Sequence, residues 1–342
     1  MNAFDHGKNP AFDEAESRLF VAYKKGRVAG RIAALHPRTP NRKGESRNLR
    51  FGWLDAIEDE EVFRALFNAV TAWARELGME TISGPYGFFD LDANGVLVAG
   101  FDQFCTPSGN FNHPYYPRMI ERCGLAKAVD YVEHRSLVPT NKEIPERLLA
   151  LSRRIRARGM FQIVEFKRKK DLLKRADELF CLINEAFMEM YGSSPLTPRQ
   201  TEHYIRKFLP FLDKDLIKIA VNEAGDMIGF ILSMPCLTRA FQKAQGRLFP
   251  LGWFHLLRAL RKNDTLEFLL AFVKKSYRGQ GVDLVMVIEI ARKAISRGFR
   301  YTESNQELES NEKIHAQWKY FQSVQNKRRR IFKMTLPAVG RG

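Results

Sequence analysis

The sequence lacks the patterns that would place it in several common classes of protein. No window holds the ~18 uninterrupted apolar residues that a membrane-spanning helix needs. The first residues show no basic segment followed by an apolar one, so no secretory signal peptide is expected. The four cysteines form no CxxC pair and no Cys/His cluster at zinc spacing. From these absences we expect a cytoplasmic protein with no metal site.

Acidic residues are scarce relative to basic ones. The chain has 39 Asp and Glu against 55 Lys and Arg, a formal net charge of +16. This excess favours an anionic partner, either nucleic acid, a membrane surface or a phosphate-bearing small molecule. The sequence contains no helix-turn-helix, zinc-finger or basic-zipper pattern, so nucleic acid stays open as a partner without being favoured. Basic runs at 153–158, 167–170 and 327–330 carry much of the charge, and a solvated surface is the alternative interpretation of each.

The order of predicted elements repeats once along the 342 residues. Each half shows a hairpin, a strand, an amphipathic helix ended by glycine, a strand, a short helix and a final strand. We therefore predict an α/β fold made of two mixed-sheet units in tandem. The units span residues 1–140 and 160–342, and a basic helical connector spans 141–159.

The boundaries of the predicted elements follow from periodicity and turn residues. In the first unit we predict strands at 19–23, 27–34, 48–56, 81–84 and 130–138 and helices at 59–77 and 115–123, followed by a connector helix at 145–158. In the second unit we predict strands at 161–166, 217–221, 227–233, 265–273, 301–305 and 329–336 and helices at 171–191, 198–211, 282–297 and from 311 onward. Residues 235–262, rich in Pro, Gly and Phe, are predicted as an excursion that lines an apolar channel, contacts a second copy or fills core space.

A glycine turn in the second half is the strongest local signal. An apolar strand runs into Tyr277-Arg278-Gly279-Gln280-Gly281, and a helix begins at Val282. Two glycines let a ligand approach main-chain N–H groups, and the helix start adds unpaired donors and partial positive charge. These features suit a pyrophosphate group, and a plain strand-to-helix turn is the alternative. The chain contains neither GxxxxGK[ST] nor GxGxxG, so it has no P-loop or dinucleotide fingerprint.

This turn resembles the pyrophosphate loop of the GNAT (acyl-CoA N-acyltransferase) superfamily, usually Arg/Gln-x-x-Gly-x-Gly/Ala after the fourth strand. Arg278 and Gly281 match the first two fixed positions, whereas Asp283 stands in place of the third small residue. The order of elements is similar over residues 160–336 and, more loosely, over 15–138. The whole chain resembles bacterial proteins with tandem GNAT-like halves.

The resemblance implies an acyl-CoA-dependent N-acyltransferase that moves an acetyl or longer acyl group to an amine acceptor. Acetyl-CoA or another acyl-CoA would be the cofactor. Backbone N–H groups near the end of the fourth strand would meet the thioester carbonyl, and the turn would hold the pyrophosphate. The implied cofactor-binding residues are Phe272, Val273, Arg278, Gly279, Gln280, Gly281, Val282 and Asp283.

The same resemblance indicates candidate catalytic residues. Acyl transfer to an amine needs a base for the amine and an acid for the departing thiolate. The GNAT base is often a carboxylate on the fourth or fifth strand, which indicates Glu267 and Glu303; a solvated surface position is the alternative for each. The usual acid is a tyrosine seven residues after an asparagine. Counting from Asn311 reaches Trp318, which cannot serve. Either Tyr320, two residues further on, is the acid, or the enzyme works without this acid, or the chain has no catalytic activity.

The first half carries four carboxylates, Glu58-Asp59-Glu60-Glu61, at the corresponding helix start. They satisfy the local N–H groups and would repel pyrophosphate, so we predict a degenerate first unit and CoA bound by the second half alone. Two alternatives stay open. The chain could be a tandem GNAT-like transferase that uses aminoacyl-tRNA held by the basic runs. It could also be a non-catalytic module that binds CoA or another ligand.

Overall fold

The structure is a computed structural model that describes residues 3–38, 47–88, 92–140, 144–189, 196–208, 211–312, 315, 318 and 321–337. The first half contains β1 (Ala15–Lys24), β2 (Arg27–Pro37), β3 (Asn48–Ala56), α1 (Glu60–Glu76), β4 (Thr81–Gly84), β5 (Val96–Ala99), α2 (Tyr115–Arg122) and β6 (Ala126–Leu137). The connector forms α3 (Glu146–Ala157). The second half contains β7 (Gln162–Val164), α4 (Lys169–Leu173), α5 (Ala176–Glu189), α6 (Pro198–Phe208), β8 (Ile217–Val221), β9 (Met227–Pro235), α7 (Thr238–Ala244), α8 (Gly252–Arg261), β10 (Thr265–Val273), α9 (Val282–Ser296), β11 (Tyr301–Glu303), β12 (Glu307–Leu308) and β13 (Ser323–Thr335).

The described strands form one sheet in the order β1-β2-β3-β4-β13-β6-β11-β10-β9-β8-β7, with β5 paired to β13 and β12 paired to β6. Parallel pairs occur once in each half, between β3 and β4 and between β10 and β11. The predicted α/β class with mixed sheets is confirmed. The last strands are exchanged between the halves, because β6 pairs with β11 while β13 pairs with β4.

Helix α1 shows how the pattern produces the fold. Its buried residues recur at helical spacing and pack on β2, β3 and β4, where each large apolar side chain contributes roughly 1.5–3 kcal/mol. Asp59 caps the helix by accepting from the N–H groups of Glu61 and Val62 at 3.1 and 3.2 Å. On the second half of the sheet, α5 and α6 pack over β8 and β9 in one cluster, and α9 packs with β8, β9 and β10 in another.

Some elements differ from the predictions. The predicted helix 171–191 is divided into α4 and α5, and the excursion at 235–262, for which no helix was predicted, contains α7 and α8. Strands β5 and β12 are too short to give a pattern. Most of the helix predicted from 311 lies outside the described residues. Among the helices that the structure describes, none combines the length and hydrophobicity needed to cross a bilayer.

The basic run 327–330 lies inside the sheet on β13. Lys327 and Arg329 are fully buried. The Lys327 ammonium lies 2.9 Å from Glu303 and 3.2 Å from Glu133, and the Arg329 guanidinium lies 2.6 Å from Glu133. The other two arginines of the run bind the buried Asp130. The interpretation of this run as a surface for an anionic partner is therefore wrong, because internal carboxylates neutralise it.

Candidate functional site

A gap opens between the two parallel strands of the second half. Strands β10 and β11 pair over three positions, the last of which joins Glu267 and Glu303. Beyond this pair, β10 continues along β9. The segment that follows β11 turns away from β10, and its strand β12 pairs with β6. The Asn305 side chain spans the opening and donates to the Leu269 carbonyl at 3.0 Å. Ligands of open α/β sheets bind beyond the carboxyl ends of separating strands, which is the position of this gap.

The predicted glycine turn follows β10 directly. Gly279 and Gly281 have φ angles of +76° and +80°, in the left-handed region that favours glycine. Gly281 is the N-cap of α9, so no side chain of that residue caps the N–H groups of the first turn. The turn therefore has the backbone form and the helix start that an anion site requires.

Gly281 also has a packing role that the sequence did not indicate. A Cβ atom there would lie 2.4 Å from Cδ1 of Ile155, which projects from the connector helix α3. Arg156 on the same helix binds Glu289 of α9 at 2.8 Å. At Gly279, in contrast, a Cβ atom would meet no described atom within 4 Å. The connector is therefore packed against the turn and is part of the candidate site.

This contrast predicts different costs for two matched substitutions. Gly281→Ala should lower the free energy of unfolding by about 2–4 kcal/mol, because it combines left-handed strain with overpacking against Ile155. Gly279→Ala should cost about 1–2 kcal/mol, because it introduces the strain alone. Urea unfolding measures both. Adding Ile155→Ala to Gly281→Ala should recover part of the loss, and equal losses for the two glycines would contradict the packing role.

Arg278 is engaged within the protein. Its Nη2 donates to Glu189 at 2.6 Å, its Nε donates to the Val273 carbonyl at 2.8 Å, and its guanidinium lies 5.2 Å from the Phe272 ring centroid. An anion at the turn would share Arg278 with Glu189. Phe272 and Val273 are paired with β9, opposite Phe230 and Gly229.

The remaining predicted cofactor-binding residues lie at the helix start. Gln280 donates to the Ser276 carbonyl at 2.9 Å, and its buried Oε1 accepts no hydrogen bond from the described residues. Val282 is buried against the core, and Asp283 lies in the first turn of α9, where the helix dipole stabilises a carboxylate. Because its side chain is buried, Val282 can offer a ligand only its backbone.

Glu267 is a fully buried carboxyl at the point where the strands separate. Its Oε1 accepts a hydrogen bond from the Ser108 hydroxyl at 2.7 Å, while no donor of the described residues satisfies Oε2. Burial raises the pKa of Glu267 to about 7, and hydrogen bonds from Ser108 and Thr106 offset only part of the rise. A carboxyl with this pKa can accept and release protons near neutral pH. The alternative of a solvated surface glutamate is wrong for this residue.

Glu303 has a different environment on the neighbouring strand. It is 3% exposed, and its oxygens accept from Arg135 at 2.9 Å, Lys327 at 2.9 Å and Asn326 at 3.0 Å. All three donors come from β6 and β13, the exchanged strands. Both oxygens of Glu303 are therefore engaged by donors from the protein itself. This arrangement suits Glu303 to hold β11 against β6 and β13 and to balance the charges of Arg135 and Lys327.

A loop of the first half closes over these carboxyls. Ser108 binds Glu267, the Cys105 carbonyl accepts from Thr238 at 2.8 Å, and the Phe104 carbonyl accepts from Lys327 at 3.1 Å. This loop, residues 100–114, is held by β10, α7 and β13 from the second half. The candidate site is therefore built by both halves of the chain.

Two cavities lie at this strand pair. A small one of about 30 Å³ reaches Glu303 between the 100–114 loop and the start of α7. A larger one of about 420 Å³ lies at the opposite end of β11, against Phe299 and the connector. The larger cavity is away from the glycine turn and from Glu267, so we assign the site to the gap and not to the larger volume.

A second group of titratable side chains lies on the other face of the sheet. Glu307 accepts from the Trp318 indole at 2.9 Å and lies 3.5 Å from His134 and 3.8 Å from His315. The His134 ring stacks on Trp318, whose edge meets Phe268 of β10 at 6.3 Å between centroids. Trp318, at the counted position of the acid, thus anchors a cluster with two imidazoles. Tyr320 lies outside the described residues.

Sequence reasoning indicated Glu267 as a candidate base but did not indicate Ser108, His134 or His315. Ser108 is separated from Glu267 by 159 residues, and no local pattern links them. Spacing from Asn311 could have indicated His315, because i and i+4 residues share a helix face. In the first half, Asp59 caps α1 as predicted, and the structure adds ion pairs of Asp59 with Lys24 and of Glu58 with Arg118.

Comparisons with known proteins agree with this architecture. No protein-family model matches the sequence. The chain is 30% identical over 316 residues to a protein of Caulobacter vibrioides named "Bacterial ceramide synthase", covering 89% of this chain and 79% of that protein. It is 28% identical over 297 residues to protein YghO of Escherichia coli, covering 85% and 74%.

Solved structures support the fold. A tandem GNAT protein from the clavulanic acid biosynthesis pathway superposes with a TM-score of 0.54 at 13% identity, covering 96% of this chain and 85% of that one. A GCN5-related glucosamine N-acetyltransferase region of a fungal β-N-acetylglucosaminidase has the same TM-score of 0.54 at 13% identity, covering 93% of this chain and 33% of that one. The tandem GNAT-like fold that the resemblance implied is confirmed.

Proposed function

The chain belongs to the family of the bacterial ceramide synthase, and from that premise we propose that it is an acyl-CoA-dependent N-acyltransferase whose acceptor is a long-chain amino alcohol. A ceramide is the amide of a fatty acid with such an alcohol, so its synthesis joins an acyl group to a primary amine. The observation that carries the proposal is Glu267, a buried carboxyl with a pKa of about 7 at the opening between β10 and β11.

Glu267 is the proposed general base. At neutral pH a primary amine is largely protonated and must lose a proton before it can attack a thioester. The unsatisfied Oε2 atom of Glu267 is the available acceptor, because Ser108 already occupies Oε1. The amine nitrogen then bonds to the carbonyl carbon, the carbon–sulfur bond breaks, and the thiolate takes up a proton as CoA leaves.

The protonation of the thiolate has its own candidates. His134 and His315 lie beside Glu307, and His134 stacks on Trp318, which contacts Phe268 of β10. Two buried imidazole nitrogens, Nδ1 of His134 and Nε2 of His315, have no hydrogen-bond partner among the described residues. An imidazole placed beside a carboxylate is a suitable group for proton transfer, so we assign the acid role to this cluster.

CoA is proposed to bind at the second half alone. The first turn of α9 follows a glycine N-cap, so backbone N–H groups remain for the pyrophosphate, with Arg278 beside them. The first turn of α1 is capped by Asp59 and surrounded by carboxylates that are themselves ion-paired. Bringing a pyrophosphate to α1 would add repulsion and displace a cap, which favours α9.

The test is product formation by the full chain. With palmitoyl-CoA and sphinganine, we expect a new amide by mass spectrometry and release of an equal amount of CoA thiol. An analogue of the alcohol without the amine should give neither product. If CoA raises the melting temperature but no amine in a panel is acylated, the non-catalytic module is correct and the proposed function is wrong. Transfer from aminoacyl-tRNA in place of acyl-CoA would also overturn it.

A further inference from the structure

The α7–α8 hairpin, residues 238–261, exposes an unusual amount of apolar surface. Ser and Gln would be expected on a solvated helical hairpin, yet large apolar side chains face water. A half-exposed aromatic or leucine side chain leaves on the order of 100 Å² accessible to solvent. The seven side chains given below therefore expose several hundred Å² of apolar area, which is at the upper end of the patch area found on soluble monomers. The exposed fractions are 42% for Phe241, 54% for Leu248, 78% for Phe249, 66% for Leu251, 47% for Trp253, 51% for Phe254 and 48% for Leu257.

This apolar face is not the one that holds the hairpin to the protein. The buried side of the hairpin packs through Leu237, Ala240 and Leu256, with Met234 and Leu260 at its margin. Trp253, Phe254 and Leu257 point away from that cluster on α8. The exposed set is therefore additional to what folding requires, and it needs a partner of its own.

The charge around the apolar face is of one sign. Between Leu237 and Asn263 the sequence has six Lys and Arg residues and no Asp or Glu. Arg239 pairs with Asp264 at 3.1 Å. Among the described residues no ion pair involves the other five, which are Lys243, Arg247, Arg258, Arg261 and Lys262. An apolar face bordered by unpaired cations matches an anionic, amphipathic partner.

We infer that the α7–α8 hairpin docks this chain on the surface of a bilayer that contains anionic lipid. Aromatic and leucine side chains bordered by Lys and Arg are the composition of interfacial membrane-binding segments. A second copy of the chain fits less well, because a symmetric contact would oppose the same unpaired cations. The hairpin lies in the surface plane in this arrangement, and no helix needs to cross the membrane.

The hairpin is joined to the candidate site. Thr238, its first residue, donates to the carbonyl of Cys105 at 2.8 Å, and the Arg239 guanidinium lies 5.6 Å from the Phe104 ring. The small cavity that reaches Glu303 is lined by Thr238, Arg239 and Phe104. A bilayer at the hairpin would therefore lie beside the 100–114 loop that covers Glu267. The inference goes beyond the proposed function and does not depend on it.

Flotation of the full chain with lipid vesicles tests the inference. We expect at least about ten-fold more bound protein on vesicles of phosphatidylcholine with 30% phosphatidylglycerol than on phosphatidylcholine alone, and a steep loss of binding with added salt. The variant Phe249→Ser/Leu251→Ser/Phe254→Ser should lower binding about ten-fold or more. These side chains are exposed, so the melting temperature should change little.

The matched control replaces exposed apolar residues elsewhere. Leu19, Val21 and Tyr23 on the edge strand β1 are 56%, 50% and 68% exposed, so Leu19→Ser/Val21→Ser/Tyr23→Ser removes a comparable area. It should leave vesicle binding within about two-fold. Equal losses in both variants, or no binding by the unmodified chain, would overturn the inference. So would a hairpin variant that changes the protein from dimer to monomer in light scattering without vesicle binding.

Discussion

Glu267→Gln lowers kcat/KM for acyl transfer by about 10²–10⁴-fold, the range that a positioned general base contributes. The glutamine keeps the shape of the side chain and can still accept the hydrogen bond from Ser108 at Oε1. It cannot accept the proton of the amine. A steady-state assay of CoA thiol release measures the loss, and a variant that retains more than about a tenth of the activity would show that Glu267 is not the base.

The pH dependence gives the assignment a second readout. Burial raises the pKa of Glu267 to about 7, so the carboxyl gains a proton as the pH falls through that value and stops acting as a base. We expect kcat/KM of the unmodified chain to fall about ten-fold for each pH unit below 7. The residual activity of Glu267→Gln should lack this limb of the profile. A limb that persists in the variant would belong to another group.

The same pKa shift predicts that stability and activity respond in opposite directions. A carboxyl whose pKa is higher in the folded state binds a proton more tightly there, so its ionisation destabilises the fold as the pH rises from about 4.5 to about 7. Relative to the unmodified chain, Glu267→Gln should gain roughly 2–3 kcal/mol of unfolding free energy between pH 5 and pH 8. Glu303→Gln should instead lower the free energy of unfolding, because it removes a buried carboxylate that pairs with Arg135 and Lys327. The control is Glu223→Gln, the same substitution at an exposed position.

Lys327→Met lowers the free energy of unfolding by about 3–5 kcal/mol, the cost of removing one partner from a buried ion pair. The ammonium is fully buried and contacts Glu303 at 2.9 Å, Glu133 at 3.2 Å and the Phe104 carbonyl at 3.1 Å. Methionine fills the volume but leaves two buried carboxylates without this cation. Urea unfolding at neutral pH measures the loss.

Two controls separate charge from packing in this prediction. Arg38→Ala removes an exposed ion pair with Glu16, whose side chains are 54% and 51% exposed, and should cost less than about 1 kcal/mol. Adding Glu133→Gln to Lys327→Met should recover part of the loss, because it removes one uncompensated charge. A double variant less stable than the sum of the single changes would contradict the electrostatic explanation.

The buried charges also explain why the two halves form one site. Lys327 and Arg329 come from the last strand of the chain, Glu133 comes from the last strand of the first half, and Glu303 comes from β11. Pairing β6 with β11 and β13 brings these charges together in the sheet. The second half without residues 1–140 would lack β6 and the loop that carries Ser108. The candidate base is thus oriented by a segment that the order of elements assigns to the other unit.

Local sequence was sufficient to identify the β10–turn–α9 segment. Strand 265–273 was predicted at its observed limits, and the helix prediction at 282–297 ends one residue beyond α9. An apolar run, two glycines at positive φ and an amphipathic helix act over a few residues each, so their preferences can be read directly from the chain. The same reasoning holds for the acidic start of α1, where Asp59 is the cap.

The tertiary structure alone decided how the strands are shared and which groups are buried. The run 327–330 has the composition of a solvated or anion-binding segment, yet its alternate residues face Glu133 and Asp130 inside the sheet. Strand partners distant in the chain are selected by the total burial and charge balance of the finished sheet, which no local pattern encodes. For that reason the sequence could indicate Glu267 as a candidate base, whereas its buried environment and its bond to Ser108 required the fold.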